Sequence, residues 1–119
     1  MRRVLVVEDE RDVAELVADV LEMEGFEAKV ASGAAALDEA LTFRPDVVLL
    51  DLMMPDVDGF EVARRLQGNP RTTDLPIIVM TAMHDAARRA RQVGANHFLA
   101  KPFDINELVR TVREAGGAE

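Results

Sequence analysis

The sequence predicts an α/β fold, a doubly wound five-stranded parallel sheet with five helices. Short apolar runs of strand length alternate five times with longer segments whose apolar residues recur at helical spacing. The segments between successive runs are long enough for the crossover helix that parallel neighbours require. The 119 residues, taken as 1–119, suffice for one domain and are too few for two.

The five strands are predicted where apolar residues, mostly Val, Ile or Leu, run together. Because these runs are largely apolar instead of alternating, we expect parallel strands that are covered on both faces. In chain order, the predicted strands are Arg2–Val7, Phe26–Ala31, Asp46–Leu50, Leu75–Met80 and Asn96–Leu99.

Four helices are predicted from apolar residues at helical spacing. Their apolar stripes are, in chain order, Val13, Leu16, Val17, Val20 and Leu21; Leu37, Ala40 and Leu41; Phe60, Ala63 and Leu66; and Ile105, Leu108, Val109 and Val112. Local signals set the ends: Gly25 ends the first helix, Ser32-Gly33 precedes the second, and Asp104 is a suitable N-cap for the last. Asp58-Gly59 opens the third helix, which stops at Gly68-Asn69-Pro70.

The remaining helix, from about His84 to Val93, has little apolar bulk. Its sequence contains three alanines and the arginines Arg88, Arg89 and Arg91. Two interpretations stay open for this helix. Either it packs lightly through its alanines, or its basic face meets a partner.

Composition restricts the classes of function. The absence of cysteine excludes disulfides, thiol catalysis and cysteine-ligated metal sites. The 22 acidic and 14 basic side chains give a net charge of −8, which argues against a domain that grips nucleic acid directly. We see neither a signal peptide nor an apolar run of membrane-spanning length, and we therefore expect a cytoplasmic domain without membrane contact.

Reactive polar side chains follow four of the apolar runs, where the strands end. Glu8 and Asp9 follow the first run, Asp51 the third, Thr81 the fourth and Lys101 the fifth. Because the carboxyl ends of parallel strands meet at one edge of a sheet, we expect these side chains to lie together. The set favours transfer of a phosphoryl group to the Asp51 carboxylate, which can act as a covalent acceptor.

The acidic side chains of this set predict a metal site. Glu8, Asp9 and Asp51 would repel one another if they converged, so we expect the metal-free fold to be destabilised by their charge. Mg2+ prefers oxygen ligands and needs only one or two carboxylates when waters and a phosphate oxygen complete its shell. A solvated acidic loop that caps the next helix is the alternative for Glu8 and Asp9.

Each of the other residues also has a structural alternative. Asp51 could be a turn or cap residue, although Asp56 and Asp58 in the same loop are better placed for that. The Thr81 hydroxyl could donate to a phosphoryl oxygen or simply belong to a β-branched strand end. Lys101 could supply charge to the site or lie on the surface.

Three further residues receive weaker assignments from the sequence alone. Phe98, three residues before Lys101, has core packing as its default role. His84 and His97 stand in no metal-ligand spacing, so we expect both on the surface without a catalytic or metal role.

Four motifs together resemble the receiver domain of two-component response regulators. They are Val-Leu-Val-Val-Glu-Asp-Glu, Val-Val-Leu-Leu-Asp-Leu-Met-Met-Pro-Asp-Val-Asp-Gly, Leu-Pro-Ile-Ile-Val-Met-Thr-Ala and Phe-Leu-Ala-Lys-Pro-Phe. Each is weak to moderate evidence alone, but the four in this order and spacing are highly specific. The resemblance extends from Arg2 to about Glu114 and implies the flavodoxin-like receiver fold.

The resemblance implies a phosphoacceptor switch that promotes only its own phosphorylation and dephosphorylation, not an enzyme with a separate substrate. Asp51 would accept phosphoryl from a histidine kinase, a phosphotransfer protein or a small donor such as acetyl phosphate. It further implies Mg2+ held by Asp9, Asp51 and the backbone carbonyl of Met53, with Glu8 acting through water.

The same resemblance implies how the signal leaves the site. Thr81 and Lys101 would bind the phosphoryl oxygens, and Phe98 would turn inward on activation. Partners would read the fourth helix, fifth strand and fifth helix, and a cis bond would precede Pro102. The domain would be a monomer or a phosphorylation-dependent dimer with an unknown downstream effector.

Two departures from the family pattern affect these expectations. The acidic pair is Glu-Asp where many members have Asp-Asp, a difference that leaves metal binding intact. Asn96-His97 replaces an acidic pair that helps receivers of winged-helix transcriptional regulators to dimerise. We therefore expect a stand-alone, chemotaxis-like or hybrid-kinase receiver.

The residues that flank the approach of water predict a long-lived acyl phosphate. In the family these lie two beyond the phosphorylated Asp and two beyond the Thr, and here they are Met53 and Met83. Neither side chain can anchor an attacking water firmly, so we expect slow self-dephosphorylation.

Three other functions compete with this interpretation. A phosphatase of the haloacid dehalogenase type needs a second Asp where this chain has Met53, and the chain is too short for a cap domain. A flavodoxin-like flavin binder needs a phosphate-cradling loop where Glu8-Asp9-Glu10 would repel the ligand. A pseudo-receiver that binds partners without phosphorylation is disfavoured by the complete set of acids, Thr81 and Lys101.

Overall fold

The computed structural model describes residues 2–55, 57–82 and 84–116. Ten elements alternate along the chain. They are β1 (Arg3–Val7), α1 (Arg11–Met23), β2 (Glu27–Ala31), α2 (Ala36–Phe43), β3 (Val47–Asp51), α3 (Gly59–Gln67), β4 (Ile77–Thr81), α4 (Ala86–Gln92), β5 (His97–Ala100) and α5 (Ile105–Ala115).

The strands form one parallel sheet in the order β2-β1-β3-β4-β5. Helices cover both faces, which confirms the predicted fold class. The chain runs outward in both directions from β1 and β3, so the loops after these two strands face each other across the carboxyl edge. This is where ligands bind in open α/β sheets.

Alternating side chains of the strands build a separate core on each face of the sheet. On one face Leu5, Val48 and Val79 are buried with α2, α3 and α4, and on the other Val6 and Leu49 are buried with α1 and α5. The three central strands are apolar between their ends because both of their faces are covered. Two cores fix these strands from both sides and hold their carboxyl ends in place.

The strand bounds differ slightly from the predicted ones, and two differences affect the site. Asp51 and Thr81 are the last residues of β3 and β4, whereas the sequence predicted both directly beyond the strand end. The hydrogen bonds between β3 and β4 continue beyond the apolar residues of these strands. The Leu52 N–H, for example, donates to the Met80 carbonyl over 3.1 Å. β4 also begins later than predicted, after Pro76, because proline has no N–H to give to a ladder.

The predicted helix caps are confirmed at two helices. Asp58 Oδ1 accepts a hydrogen bond of 2.9 Å from the Phe60 N–H at the start of α3. Asp104 Oδ1 accepts one of 2.7 Å from the Glu107 N–H at the start of α5. These side chains satisfy amides that the helix itself leaves without a partner.

α4 packs on the sheet through small side chains. It is shorter than predicted, and its buried side chains are Ala86 and Ala90. Light packing through alanines is therefore confirmed, and a partner on its exposed basic face stays a prediction. No helix in the described part of the chain is long and apolar enough to cross a membrane.

Candidate functional site

Asp51 ends β3 at the carboxyl edge with only 3% of its surface exposed. Its Oδ1 accepts a hydrogen bond of 3.0 Å from the Met53 N–H, and its Oδ2 lies 3.2 Å from Lys101 Nζ. The carboxylate is thus fixed by one bond from its own loop and one from the loop after β5. This arrangement leaves a buried, oriented carboxylate beside a cation.

Gly59 supports the same loop and was missed by the sequence reasoning, which treated it only as a helix start. A Cβ at Gly59 would lie 2.5 Å from the Leu52 Cα and 2.7 Å from the Asp51 carbonyl oxygen. No side chain fits in that space, so only glycine lets α3 begin against the end of β3. The isolated bridge between Met53 and Asp58 closes the loop on itself. The Asp-Gly dipeptide was the available signal.

Lys101 joins Glu8 to Asp51. Its Nζ lies 3.0 Å from Glu8 Oε1 as well as 3.2 Å from Asp51 Oδ2. Glu8 is only 4% exposed, and its second oxygen accepts a bond of 3.1 Å from the Glu10 N–H. The Lys101 backbone N–H donates to the Thr81 carbonyl over 2.8 Å, which anchors the lysine at the end of β4. The peptide bond before Pro102 is cis.

The ionisation of this group is shifted by burial and by charge. Burial raises the pKa of Glu8, and the nearby Asp51 raises it further, while the hydrogen bond from Lys101 lowers it less than these raise it. Burial by itself lowers the pKa of Lys101, but the hydrogen bond to Glu8 and the charges of both carboxylates outweigh it, so this pKa is raised. Lys101 is therefore a firmly held ammonium.

Asp9 points to a different partner. Its Oδ1 accepts a hydrogen bond of 3.0 Å from the Gly33 N–H, at the start of the β2–α2 connection. Within residues 2–55, 57–82 and 84–116, no three acidic, histidine or cysteine side chains are close enough to hold one ion. The three carboxylates therefore do not form one cluster as expected: Lys101 bridges Glu8 and Asp51, and the Gly33 amide holds Asp9.

Thr81 and Phe98 lie on the neighbouring strands β4 and β5, and Phe98 pairs with Val79, two residues before Thr81. Thr81 is fully buried at the end of β4, where it pairs with Ala100 of β5. Phe98 is 44% exposed, so its default assignment to the core is wrong. β5 is an edge strand, and one of its faces is only partly covered, which leaves the ring accessible to solvent.

Of the two residues expected to flank the water path, Met53 lies among the described residues. The Met53 side chain is 55% exposed beside Asp51, whereas Met83 lies outside the described residues, as does Asp56. His84 is exposed and His97 is half-buried in β5. The prediction that both histidines lie on the surface is therefore confirmed for His84 and only partly for His97.

The donor set fits Mg2+. Glu8, Asp9, Asp51 and the Met53 carbonyl are all hard oxygen donors on the loops after β1 and β3. Three carboxylates and the one ammonium of Lys101 leave an excess of two negative charges, which a divalent cation would neutralise. An open cleft of about 790 Å³ lies beside these loops, lined in part by Glu8 and Asp9, and gives access to them.

A family model and several known proteins match this sequence. The family model of the response regulator receiver domain matches residues 4–113. The DNA-binding dual master transcriptional regulator RpaA of Synechocystis sp. is 37% identical over 116 residues, which are 95% of this chain and 48% of that protein. The chain spans about half the length of the curated relatives it matches.

Solved structures share the fold. Chemotaxis protein CheY4 of Vibrio cholerae superposes with a TM-score of 0.89 at 30% identity, over 97% of this chain and 98% of that one. The receiver domain of sensor histidine kinase PA1611 from Pseudomonas aeruginosa gives 0.87 at 28% identity, over 98% of both chains, and holds a magnesium ion in its active site cleft. A transcriptional regulator, a chemotaxis protein and a kinase receiver all match, so the type expected from Asn96-His97 stays a prediction.

Proposed function

The chain belongs to the response regulator receiver domain family, and from this membership we propose that Asp51 is its phosphoacceptor. The observation that carries the proposal is the Asp51 carboxylate, buried at the carboxyl edge of the sheet with Lys101 Nζ at 3.2 Å. A cation at this distance offsets the charge that an incoming phosphoryl group brings.

The proposed reaction transfers a phosphoryl group from the phosphohistidine of a histidine kinase or phosphotransfer protein. One Asp51 oxygen forms a bond to phosphorus while the P–N bond breaks, and the departing imidazole keeps the electron pair and takes a proton from solvent. With acetyl phosphate the P–O bond breaks and acetate leaves. Both give an acyl phosphate on Asp51. Alignment and charge neutralisation matter more here than acid–base groups.

We assign neutralisation of the phosphoryl charge to Lys101 and to Mg2+. The carboxylates of Asp9 and Asp51 and the Met53 carbonyl would hold the ion, with Glu8 acting through water. Bound there, Mg2+ would supply Lewis-acid stabilisation of the phosphoryl oxygens. Lys101 already contacts the Asp51 carboxylate, so its ammonium needs only a small displacement to reach a phosphoryl oxygen.

The signal would leave the site through Thr81 and Phe98. The Thr81 hydroxyl would donate to a phosphoryl oxygen, and Phe98, now half-exposed, would turn inward and change the surface formed by α4, β5 and α5. We propose that partners read this surface and that the domain acts in the cytoplasm without itself binding nucleic acid or membrane. Its effector is unidentified, and it is a monomer or a phosphorylation-dependent dimer.

Intact-mass measurement with acetyl phosphate and Mg2+ tests the assignment. The parent should gain one phosphoryl group, and chelation of the metal should abolish the gain. Asp51→Asn should not be labelled. Asp58→Asn is the matched control: it changes an acid in the same loop, and asparagine remains a good helix cap. Labelling of Asp51→Asn as readily as of Asp58→Asn would contradict the proposal.

A further inference from the structure

The Asp9 carboxylate is held by an amide from another loop. Gly33 N–H donates to Asp9 Oδ1 over 3.0 Å, although the two residues are 24 positions apart. Lys101 bonds to Glu8 and Asp51, and among the hydrogen bonds of the described residues none joins it to Asp9. The orientation of Asp9 therefore depends on the position of Gly33.

Gly33 is crowded from its other side by the loop that follows Asp51. A Cβ at this position would lie 3.0 Å from Met54 Cε, 3.0 Å from Val57 Cβ and 3.2 Å from Met54 Sδ. Met54 is itself buried, so it has little room to retreat. A side chain at position 33 would displace either the amide that holds Asp9 or the loop that carries Met53 and Met54.

We propose that Gly33 is a positioning residue for metal binding at this site. Its amide directs the Asp9 carboxylate, and its missing side chain lets the loop of Met53 close over it. The inference rests on the proposed function, in which Asp9 and the Met53 carbonyl hold Mg2+. A ligand already held in place needs no reorganisation when the ion binds, and loss of such an outer partner costs roughly ten-fold or more in metal affinity.

Gly33→Ala tests the inference without removing any proposed ligand. The Mg2+ dissociation constant is read from amide chemical-shift titration, and thermal unfolding is recorded in chelator. We expect the constant to rise roughly ten-fold. Gly68→Ala is the matched control, because its Cβ meets the Arg64 carbonyl at 3.2 Å at the far end of α3. Gly68→Ala should bind Mg2+ like the parent even if its unfolding temperature in chelator falls as much as that of Gly33→Ala.

A second substitution separates positioning from a general structural effect. Met54→Val removes two of the three atoms that crowd position 33 and leaves Val57 Cβ in place, so it should restore part of the affinity when combined with Gly33→Ala. Unchanged or tighter binding by Gly33→Ala, or no recovery in the double variant, would overturn the inference and leave the proposed function intact. A parent that binds Mg2+ no better than Asp9→Asn would overturn both.

Discussion

Lys101 carries the charge balance of the site. Its ammonium is the cation shared by two carboxylates that are both almost fully buried, at 3.0 Å from Glu8 and 3.2 Å from Asp51. Removal of one partner from a buried ion group leaves charge without compensation, which costs far more than the group contributes when complete. The lysine therefore supports the metal-free fold as well as the proposed chemistry.

We expect Lys101→Met to lower the free energy of unfolding by about 3 kcal/mol in chelator, because Glu8 and Asp51 lose their shared cation. Urea denaturation measures this. Lys29→Met is the control, since its ion pair with Glu39 is far more exposed to solvent than those of Lys101 and should contribute less than about 1 kcal/mol. Equal losses of unfolding free energy in the two variants would show that the burial of Glu8 and Asp51 does not make the loss of their cation more costly.

Met53 should govern the lifetime of the acyl phosphate. Its side chain lies half-exposed beside Asp51 and offers no polar atom to hold a water in line. Met53→Asn combined with Met83→Glu should therefore release phosphate several-fold faster, given the approximate contribution of a positioned polar group. The measurement is loss of phosphoryl mass after donor removal. An unchanged or slower rate would mean that these positions do not gate water.

The sequence placed polar side chains at the ends of four strands, but it gave Gly59 and Gly33 no role beyond the start of a helix, although both matter through the space that a side chain would fill. It could not predict side-chain direction. Lys101 lies between Glu8 and Asp51, and Asp9 turns to Gly33, because contacts between distant loops decide both. Motif spacing carries no information about such contacts.

Among the elements, α4 buries only small side chains. Its buried side chains are Ala86 and Ala90, and buried alanines contribute little apolar area. Arg89 Nε is buried there without a hydrogen-bond partner in the described part of the chain. Local stability should follow this packing, because regions with few buried apolar contacts open most easily.

We expect amide exchange to be faster in α4 than in α1 or α5, which bury longer side chains. Addition of a beryllium fluoride phosphoryl mimic should change exchange most between His84 and Phe103. Asp51→Asn with the mimic is the control and should show no change. A response confined to the loops around Asp51 would contradict a switch that reaches α4 and β5.

Element type was predictable from the sequence, whereas element ends were less so. Apolar patterns depend on burial, and in the described part of the chain they found the five strands and four of the helices, whereas α4 has no apolar stripe. Strand ends depend on hydrogen bonds to neighbours, as Leu52 and Pro76 show, and composition does not record those. Phe98 was placed in the core because its own residue type favours burial, but an edge strand offers less cover.

For the whole molecule, metal binding should appear as stability. Any ligand of the native state alone adds stability by mass action, about 2.7 kcal/mol at one hundred times its dissociation constant. We expect Mg2+ to raise the unfolding temperature of the parent and not of Asp9→Ala. Asp12→Ala, which removes an exposed acid of α1, should respond like the parent. Equal responses of all three would place the ion elsewhere.

The register of the sheet restricts where such chains can gain residues. Asp51 pairs with Met80 and Thr81 with Ala100, and side chains alternate faces along each strand. One residue inserted within β3 or β4 would send the reactive carboxylate or hydroxyl to the opposite face. Insertions at the exposed turn around Arg71, beyond the other end of the sheet, would leave both in place. Evolution and engineering can therefore add sequence at that turn while the edge that carries Asp51 and Thr81 stays the same.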